Sequence, residues 1–138
     1  MTHQPLIRDA NQRIVVDGEP DAVSRFFSPE YVVHSTDGAH AMGHKGVTAW
    51  MERLHRAFTD VRVEILVLVE AGDRVTWLRT VHGQHTGAYL GFPASSQPIV
   101  WRDMVVSRVD GGRIAEEWVV TELAERLLLG RKRGKGAI

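Results

Sequence analysis

Apolar residues in the first half of the chain recur at the three- and four-residue spacing of a helix. A first helix is predicted over residues 6–15, and Gly18 can stop it. A short second helix is predicted over residues 20–27, because it opens on a proline whose missing N–H costs nothing there. Residues 30–35 are predicted to be extended. A third helix is predicted over residues 43–58, where a helical stripe is formed by Val47, Trp50, Met51, Leu54, Ala57 and Phe58.

The second half of the chain changes to the two-residue period of β-strands. Residues 61–70 and 74–82 alternate in this way on either side of a short turn. Residues 99–109 and 113–121 form two more β-rich runs, and the Asp110-Gly111-Gly112 turn between them is a strong hairpin signal. Helices first and hairpin-linked strands afterwards predict the α+β class, with helices on one face of an antiparallel sheet. A doubly wound parallel fold is disfavoured, because strands and helices do not alternate.

The strand over residues 99–106 is apolar on both of its faces. A sheet covered by helices on one side only should carry a polar opposite face. Packing on both sides within one monomer explains the pattern, but the chain has few helices to supply it. We therefore expect a homodimer through the second face. Ile99, Trp101 and Val105 lie on one face, and Val100, Met104 and Val106 lie on the other.

Length, charge and cysteine content exclude several classes of protein. The 138 residues fit one domain, predicted over residues 1–130. The 17 basic residues balance the 17 acidic ones, so no overall charge draws the chain to nucleic acid or to an anionic membrane. Residues 131–138 form a basic tail, which is predicted to be disordered, with an RNA- or lipid-binding patch as the alternative. The absence of cysteine excludes disulfides and thiolate zinc ligands.

The chain shows no apolar run long enough to cross a bilayer, and its first residues have no apolar core of the kind found in signal peptides. Without such a segment, the sequence offers no reason to expect export or membrane insertion. We therefore expect a cytoplasmic protein.

Four stretches follow one another in a specific order: FFSPEYVVHS, AMGHKGVTAWMERLHRAFTDVRVEI, AGDRVTWLRTVHGQHTGAYLGFP and WRDMVVSRVDGGRIAEEWVVTELAERLLLG. In that order and spacing they resemble the SnoaL-like polyketide cyclase family of the nuclear transport factor 2-like superfamily. The resemblance covers residues 7–130. It implies a cone-shaped α+β barrel, in which about three N-terminal helices pack on a curved antiparallel sheet around an internal apolar cavity.

The resemblance also implies an activity. Family members include enzymes that close a ring by intramolecular aldol condensation of polyketide methyl esters, with no metal and no organic cofactor. Relatives with this fold isomerise ketosteroids, open epoxides, dehydrate small substrates or bind without catalysis. The fold therefore defines a cavity more closely than it defines a reaction.

Strand periodicity places several candidate catalytic residues on one face of the sheet. Trp101 and Asp103 share a face, Trp77 and Arg79 share a face on the preceding strand, and regular continuation adds His85. A carboxylate in an apolar cavity can remove a carbon-bound proton, because desolvation raises its pKa, and a histidine can donate to the enolate oxygen. Asp103 is predicted to be the acid/base, with His85 as its partner. A salt bridge between Asp103 and Arg79 is the structural alternative.

Glu122 is the competing catalytic carboxylate. The family pattern ends with a tryptophan and, four positions later, an acidic residue that is more often aspartate. These positions correspond to Trp118 and Glu122. Regular alternation predicts one shared face for Ile114, Glu116, Trp118, Val120 and Glu122.

Further residues are predicted to bind the substrate. The family often carries a histidine near the cavity mouth at the position of His34, which a core or capping role explains equally well. Tryptophan rings favour a flat aromatic ligand, although aromatic side chains also fill the cores of small domains. The predicted substrate-binding residues are His34, Trp50, Trp77, Arg79, Trp101 and Trp118.

The stretch HGQHTGAYLG, residues 82–91, contains two histidines and three glycines. His82 and His85 are three residues apart, so a strand sends them to opposite faces and disfavours a shared metal. The glycines lack the GxGxxG order of a phosphate-binding loop. We therefore predict no metal and a cavity rim, with His85 facing inward and His82 outward.

The predicted function is a cofactor-independent acid/base enzyme acting on a hydrophobic, aromatic or polyketide-derived small molecule. One alternative is a non-catalytic small-molecule binding module of the same fold. Another is an epoxide hydrolase or isomerase. Epoxide hydrolysis needs an Asp/Arg/Asp set that positions water, and Arg79 with Asp103 supplies only part of it.

Overall fold

Helices and strands are described here from a computed structural model, which covers residues 2–136 and gives side chains as far as Gly130. The helices are α1 (Gln4–Ala10), which continues into a π-helical segment (Asn11–Val16), a 3₁₀ turn (Pro20–Ala22) with α2 (Val23–Phe26), α3 (Gly43–Ala57) and α4 (Leu123–Gly136). The strands are β1 (Phe27–Ser35), β2 (Gly38–Ala41), β3 (Phe58–Ala71), β4 (Arg74–His85), β5 (Pro98–Asp110) and β6 (Arg113–Thr121).

The strands form one six-stranded sheet in the order β2-β1-β6-β5-β4-β3. Neighbouring strands are antiparallel except β1 and β6, which run parallel. The helices pack on one face of this sheet, which we call the inner face. The predicted α+β class is therefore confirmed. The parallel contact of β1 with β6 and the helix α4 were not predicted.

The hairpin between β5 and β6 has the turn that the sequence predicted. Asp110 and Arg113 pair across it. Gly111 and Gly112 lie between them with positive φ angles of 59° and 76°. Only glycine adopts two such angles in succession without steric cost, which explains the choice of residues at this turn.

The core fills the space between the helices and the inner face. Ile14, Leu54, Phe58 and Trp77 are each 1% exposed. Burying a large apolar side chain of this kind contributes about 1.5–3 kcal/mol, so these contacts account for much of the association between helices and sheet. The internal apolar cavity that the resemblance implies stays a prediction.

An irregularity in the pairing of β5 with β6 changes which residues of β6 face the core. Arg108 pairs with Glu116 but Val109 pairs with Ile114, so Ala115 is an extra residue at a β-bulge. Ile114 and Glu117 are buried. The predicted shared face is therefore wrong for Ile114, because the alternation is reversed beyond the bulge. Glu116, Trp118 and Val120 do share one face, but it is the one that points away from the helices.

The opposite, outer face of the sheet carries several apolar residues, and Met104 is the one among its central residues that the sequence placed there. Four of them are neighbours in register across β3, β4, β5 and β6, and together they form what we call the outer apolar band: Leu66, Leu78, Met104 and Val120. Met104 is 50% exposed and Val120 73% exposed. Contiguous apolar surface of this kind is typical of an interaction site.

The helices and the C-terminal tail bear on two further predictions from the sequence. Among the described residues, the helices are too short or too polar to cross a bilayer. Residues 131–138, the tail predicted to be disordered, lie outside the residues whose side chains the structure describes. Their disorder stays a prediction.

Candidate active site

An ion pair between neighbouring strands lies at the centre of the inner face. Arg79 on β4 and Asp103 on β5 are directly opposite in register. The Arg79 Nε–H donates to Asp103 Oδ2 at 2.8 Å, and both side chains are largely buried. An Arg79 Nη1–H donates to Asn11 Oδ1 at 3.0 Å, while Asn11 donates its own amide N–H to the Ile7 carbonyl. The predicted salt bridge between Asp103 and Arg79 is therefore present.

Two tryptophans enclose the Arg79 guanidinium. Its central carbon lies 5.3 Å from the ring centroid of Trp77 and 5.9 Å from that of Trp50. Cations are attracted to the faces of aromatic rings at such distances. Trp77, on β4, and Trp50, on α3, therefore help to fix the guanidinium that holds Asp103.

Asp103 keeps one oxygen free. Its Oδ1 is buried and, within the described residues, has no hydrogen-bond partner. A buried polar atom left without a partner costs about 1–3 kcal/mol, so such atoms are rare and call for an explanation. Asp103 therefore has one carboxylate oxygen that accepts no hydrogen bond from the described residues, in surroundings with little water.

His85 has a second unpartnered atom on the inner face. The ring is stacked on Phe58, with centroids 5.1 Å apart, and it is 1% exposed. The backbone N–H of Ser95 donates to its Nδ1 at 3.3 Å, so the neutral ring carries its proton on Nε2. Burial lowers the pKa of His85, which favours that neutral form. Its buried Nε2 lacks a partner among the described residues and is an available donor.

His85 and Asp103 share the inner face, as predicted, but they do not touch. Asp103 faces Arg79, which lies six residues before His85 on β4, about 20 Å in an extended strand. Trp101 occupies the space between, with its ring centroid 4.9 Å from that of Phe58. The two groups act on one molecule only if that molecule extends along the sheet.

The loop between β4 and β5 closes this end of the inner face. Tyr89 in the loop is 8% exposed and packs on Phe58. The N–H groups of Thr86 and Gly87 both donate to the Ala57 carbonyl at the end of α3. A Cβ at Gly87 would lie 2.2 Å from the Arg56 carbonyl oxygen, so this close approach requires glycine.

A shallow cleft of about 180 Å³ lies on the outside of the same loop. Arg53 and Arg56 of α3 form one wall, and Ala88, Tyr89 and Leu90 form the other. Tyr89 separates the cleft from the aromatic cluster beneath it. Ser95 of the same loop contacts His85 Nδ1, so the loop lies against the histidine, and the predicted cavity rim stays a prediction.

Glu122 lies away from this site. Its Oε1 accepts from Arg102 Nε at 3.0 Å and its Oε2 accepts from Arg102 Nη2 at 2.8 Å, at the surface of the sheet. These hydrogen bonds with Arg102 lower the pKa of Glu122 to about 2. A carboxylate held in this way is a weak base near neutral pH. Glu122, which the sequence offered as the competing acid/base, therefore lies outside the group of polar residues on the inner face.

His34 and Trp118 lie on the outer face. Their rings stack at 4.9 Å with an interplanar angle of 3°, and Arg74 covers Trp118. His34 Nε2 is 2.6 Å from Glu116 Oε2, and Arg108 donates to Glu116 Oε1. The bulge before Glu116 turns Trp118 outward, and His34 lies opposite Trp118 in the register of β1 with β6 and faces the same way. Neither of these predicted substrate contacts therefore reaches the inner face.

His82, the first histidine of the HGQHTGAYLG stretch, also lies on the outer face. His82 Nε2 lies 2.7 Å from Glu64 Oε1 on β3. His82 and His85 therefore face opposite sides of the sheet, as predicted. The described residues contain no group of three or more His, Cys, Asp or Glu side chains close enough to hold a metal ion.

Sequence reasoning missed one buried carboxylate. Glu117 is 8% exposed, and its Oε1 and Oε2 accept from Tyr31 and Ser107. Burial raises its pKa. The pair Glu116-Glu117 in the sequence shows that one of the two must point inward, but only the bulge decides which.

Comparison with known proteins agrees with this architecture. The structure resembles a candidate polyketide cyclase from Acidithiobacillus ferrooxidans, with a TM-score of 0.83, 21% identity and coverage of 94% of each chain. It also resembles AclR, a candidate hydroxylase from Streptomyces galilaeus, with a TM-score of 0.79, 23% identity and coverage of 94% of this chain and 96% of that one.

A third solved structure, IdmH from Streptomyces antibioticus, is a candidate polyketide cyclase with a TM-score of 0.77, 18% identity and coverage of 96% of this chain and 99% of that one. At these identities the likeness shows the fold. No curated protein sequence matches the chain significantly. The sequence model of the SnoaL-like polyketide cyclases matches residues 6–127, and the chain therefore belongs to this family.

Proposed function

We propose that this protein is a cofactor-independent acid/base enzyme that acts on a hydrophobic, aromatic or polyketide-derived small molecule, as a SnoaL-like cyclase catalysing an intramolecular aldol condensation. The observation that carries the proposal is the free Oδ1 of Asp103, which is buried beside Arg79 and has no partner among the described residues. Family membership supports the reaction class.

The reaction begins with removal of a proton from the carbon next to a substrate carbonyl. Asp103 Oδ1 accepts that proton, and the C–H electron pair becomes the enolate. The enolate carbon attacks a second carbonyl carbon of the same molecule, a C–C bond forms, and the carbonyl electrons move to its oxygen. Asp103 then returns the proton to this alkoxide. Arg79 stays bound to Oδ2 throughout and keeps the carboxyl group in place.

His85 has a supporting role in this reaction. Its neutral ring presents the Nε2–H, and a substrate carbonyl oxygen would complete that hydrogen bond. Since His85 lies far along β4 from Arg79, the carbonyl it binds belongs to a distant part of the substrate. The rings of Phe58 and Trp101 lie between the two groups and offer an aromatic wall to a flat molecule.

Access to Asp103 and His85 requires movement of the loop over residues 86–97. Tyr89 and Phe58 fill the space that a ligand would occupy. Withdrawal of Tyr89 would open a path from the cleft at Arg53 and Arg56 to the inner face. The loop backbone has positive φ angles at Leu90, Gly91 and Ser96, of 48°, 81° and 58°.

The test compares Asp103→Asn with Glu122→Gln, two substitutions that remove one carboxylate each and preserve size. Turnover of aromatic polyketide methyl esters is measured by loss of substrate and appearance of the cyclised product. Loss of a general base lowers kcat about 10²- to 10⁴-fold, so we expect this for Asp103→Asn. The kcat of Glu122→Gln, whose substitution lies at the surface, should stay within a few-fold of that of the unmodified protein, called the parent below. Equal turnover of the two variants contradicts the proposal.

A non-catalytic binding module is the second candidate. It is favoured by the closed Arg79–Asp103 ion pair, since arginine-bound carboxylates often have a structural role. Under this function, Asp103→Asn changes ligand affinity, and the parent protein turns over none of the esters. An epoxide hydrolase would need a second free carboxylate near Arg79; Glu117 is the nearest described candidate, and Tyr31 and Ser107 occupy both of its oxygens.

We also propose that two copies associate through the outer apolar band. Met104 and Val120 expose large apolar surface at the centre of the outer face, and a twofold axis there would bury the band against itself. The proposed site of action is the cytoplasm.

Sedimentation of the full chain tests the association. Met104→Lys places a charge in the band, whereas Ser24→Lys makes the same change of charge on α2. We expect a dimer for the parent and for Ser24→Lys, and a monomer for Met104→Lys. A monomeric parent chain excludes the dimer.

A further inference from the structure

Glu117 is the buried carboxyl group that the proposed reaction does not use. It lies on the inner face of β6, opposite Ser107 of β5. The Tyr31 O–H donates to its Oε1 at 2.7 Å, and the Ser107 O–H donates to its Oε2 at 2.5 Å. Both carboxyl oxygens are therefore engaged by hydroxyl groups.

A continuous line of contacts joins Glu117 to the proposed base. The Trp77 indole N–H donates to Ser107 Oγ at 2.9 Å. The Trp77 ring lies against the Arg79 guanidinium, and Arg79 holds Asp103 Oδ2. Each member of this line is buried or nearly so, and none of the links passes through solvent.

The orientation of the Ser107 hydroxyl is the link on which the line depends. Ser107 Oγ accepts one hydrogen bond from Trp77, so its own proton points to Glu117. Without Glu117, the Ser107 hydroxyl proton has no acceptor on the β6 side, and the hydroxyl is free to rotate. The Trp77 indole N–H would then lose an acceptor of fixed orientation. The Arg79 guanidinium would in turn lose a ring of fixed position.

We propose that Glu117 is a positioning residue for Asp103, acting through Ser107, Trp77 and Arg79 to hold the carboxylate with Oδ1 free. The effect of Glu117 on catalysis rests on the proposed function, whereas the line of contacts from Glu117 to Asp103 does not. An apolar side chain of similar volume would fill the space without the cost of burying a carboxyl group. The charged and titratable groups that face Glu117 are Arg79, Asp103 and Tyr31, and it is their arrangement that its hydrogen bonds fix.

The experiment uses NMR of the ¹⁵N-labelled full chain and follows the Trp77 indole N–H and the Arg79 Nε–H signals. Ser107→Ala removes the acceptor of the indole, and loss of one hydrogen bond should speed exchange of that proton with water about tenfold. The Arg79 Nε–H signal should shift at the same time. Glu117→Gln replaces one of the two accepting oxygens with an NH2 donor, so one hydroxyl loses its acceptor, and both signals should move in the same direction as in Ser107→Ala but less.

Glu116→Gln is the matched control, since it changes the neighbouring carboxylate on the outer face. It should leave both signals unchanged. Tyr31→Phe removes one hydroxyl donor to Glu117 without loss of ring volume, and it should move the Arg79 signal in the same direction as Ser107→Ala but less. If Ser107→Ala does not fold, Tyr31→Phe decides the matter by itself.

Kinetics distinguish this inference from the proposed function. Where the parent turns over substrate, Ser107→Ala should lower kcat about tenfold with little change in KM, because the base is misplaced and not removed. An unshifted Arg79 signal in folded Ser107→Ala or Tyr31→Phe overturns the positioning role. Absence of turnover in the parent overturns only the proposed function, because the NMR measurements need no substrate.

Discussion

Histidine, tryptophan, arginine and glutamate or aspartate stand together on both faces of the sheet. On the inner face, Arg79 and Trp77 surround Asp103, and His85 lies further along β4. On the outer face, His34 stacks on Trp118 and pairs with a glutamate. Residue types therefore do not separate the two groups.

The two faces differ in burial and in what the polar atoms leave unsatisfied. The inner group is shielded from water and retains a carboxylate oxygen and an imidazole N–H without partners among the described residues. The outer group is partly exposed, so any free polar atom there can bind water. A candidate active site is recognised by buried polar atoms that are still available, and the number of ionisable groups is a poor guide.

The largest expected difference between the faces is in packing. Leu54→Ala removes a fully buried side chain of α3, whereas Leu66→Ala removes one that is 59% exposed on the outer face. We expect Leu54→Ala to lower the free energy of unfolding by about 2–5 kcal/mol, because it leaves a cavity in the core. Leu66→Ala should change it by less than about 0.5 kcal/mol for an isolated chain.

Urea denaturation followed by circular dichroism measures both values. A cost for Leu66→Ala that grows with protein concentration would show that a second copy covers the outer apolar band. Equal and concentration-independent costs would contradict the assignment of inner and outer faces.

The second difference is in the pH dependence of stability. Burial raises the pKa of Glu117, so between the pKa of glutamate in the unfolded chain, about 4.3, and the raised native pKa, the folded state binds more protons. The stabilising effect of its protonated form is complete below that window and is lost as pH rises through it. Glu117→Gln removes this loss. Its free energy of unfolding should rise relative to the parent by up to about 1.4 kcal/mol per pH unit inside the window.

Glu122→Gln has the opposite sign and serves as the comparison. The pKa of Glu122 is lowered to about 2 by Arg102, so its contribution is present above the unfolded pKa and is lost as pH falls toward 2. Denaturation midpoints measured from pH 3 to 9, about the range in which carboxyl and imidazole groups titrate, separate the two variants. A pH-independent difference between Glu117→Gln and the parent would show that Glu117 has the same pKa in the folded and the unfolded chain, which contradicts the expected effect of its burial.

The smallest effect is expected for the outer ion pairs. Glu116→Gln disrupts contacts with His34 and Arg108 that lie within reach of water. Exposed ion pairs contribute about 0–1 kcal/mol, and salt screens them. We expect a loss in this range that shrinks at high ionic strength. A loss of several kcal/mol that is insensitive to salt would mean that the outer face is buried in solution.

The sequence predicted the regular part of the inner face. On β4 and β5 the two-residue period is unbroken from Trp77 to His85 and from Ile99 to Val105, so alternation alone placed Arg79, Asp103 and His85 correctly. The α+β class followed from the change of period between the two halves of the chain. Family resemblance and periodicity agreed because both depend on these local patterns.

The parts that sequence reasoning misplaced depend on contacts between distant residues. One extra residue at Ala115 reverses the alternation of β6, and the choice between Glu116 and Glu117 depends on this bulge. His34 faces outward because it lies in register with Trp118 of β6, a contact between residues more than eighty positions apart. No local pattern in β1 reports the partner that it will acquire.

The π-helical segment Asn11–Val16 bears on how the chain tolerates changes of length. Its wide turns are visible in the bond from the Asp17 N–H to the Gln12 carbonyl, five residues back. An α-helix advances about 100° per residue, so deletion of the exposed Gln12 would restore ordinary helical winding and rotate α1 by about that angle against the sheet. Asn11 would swing away from Arg79. Homologues one residue shorter at this point should therefore lack an asparagine that reaches the arginine.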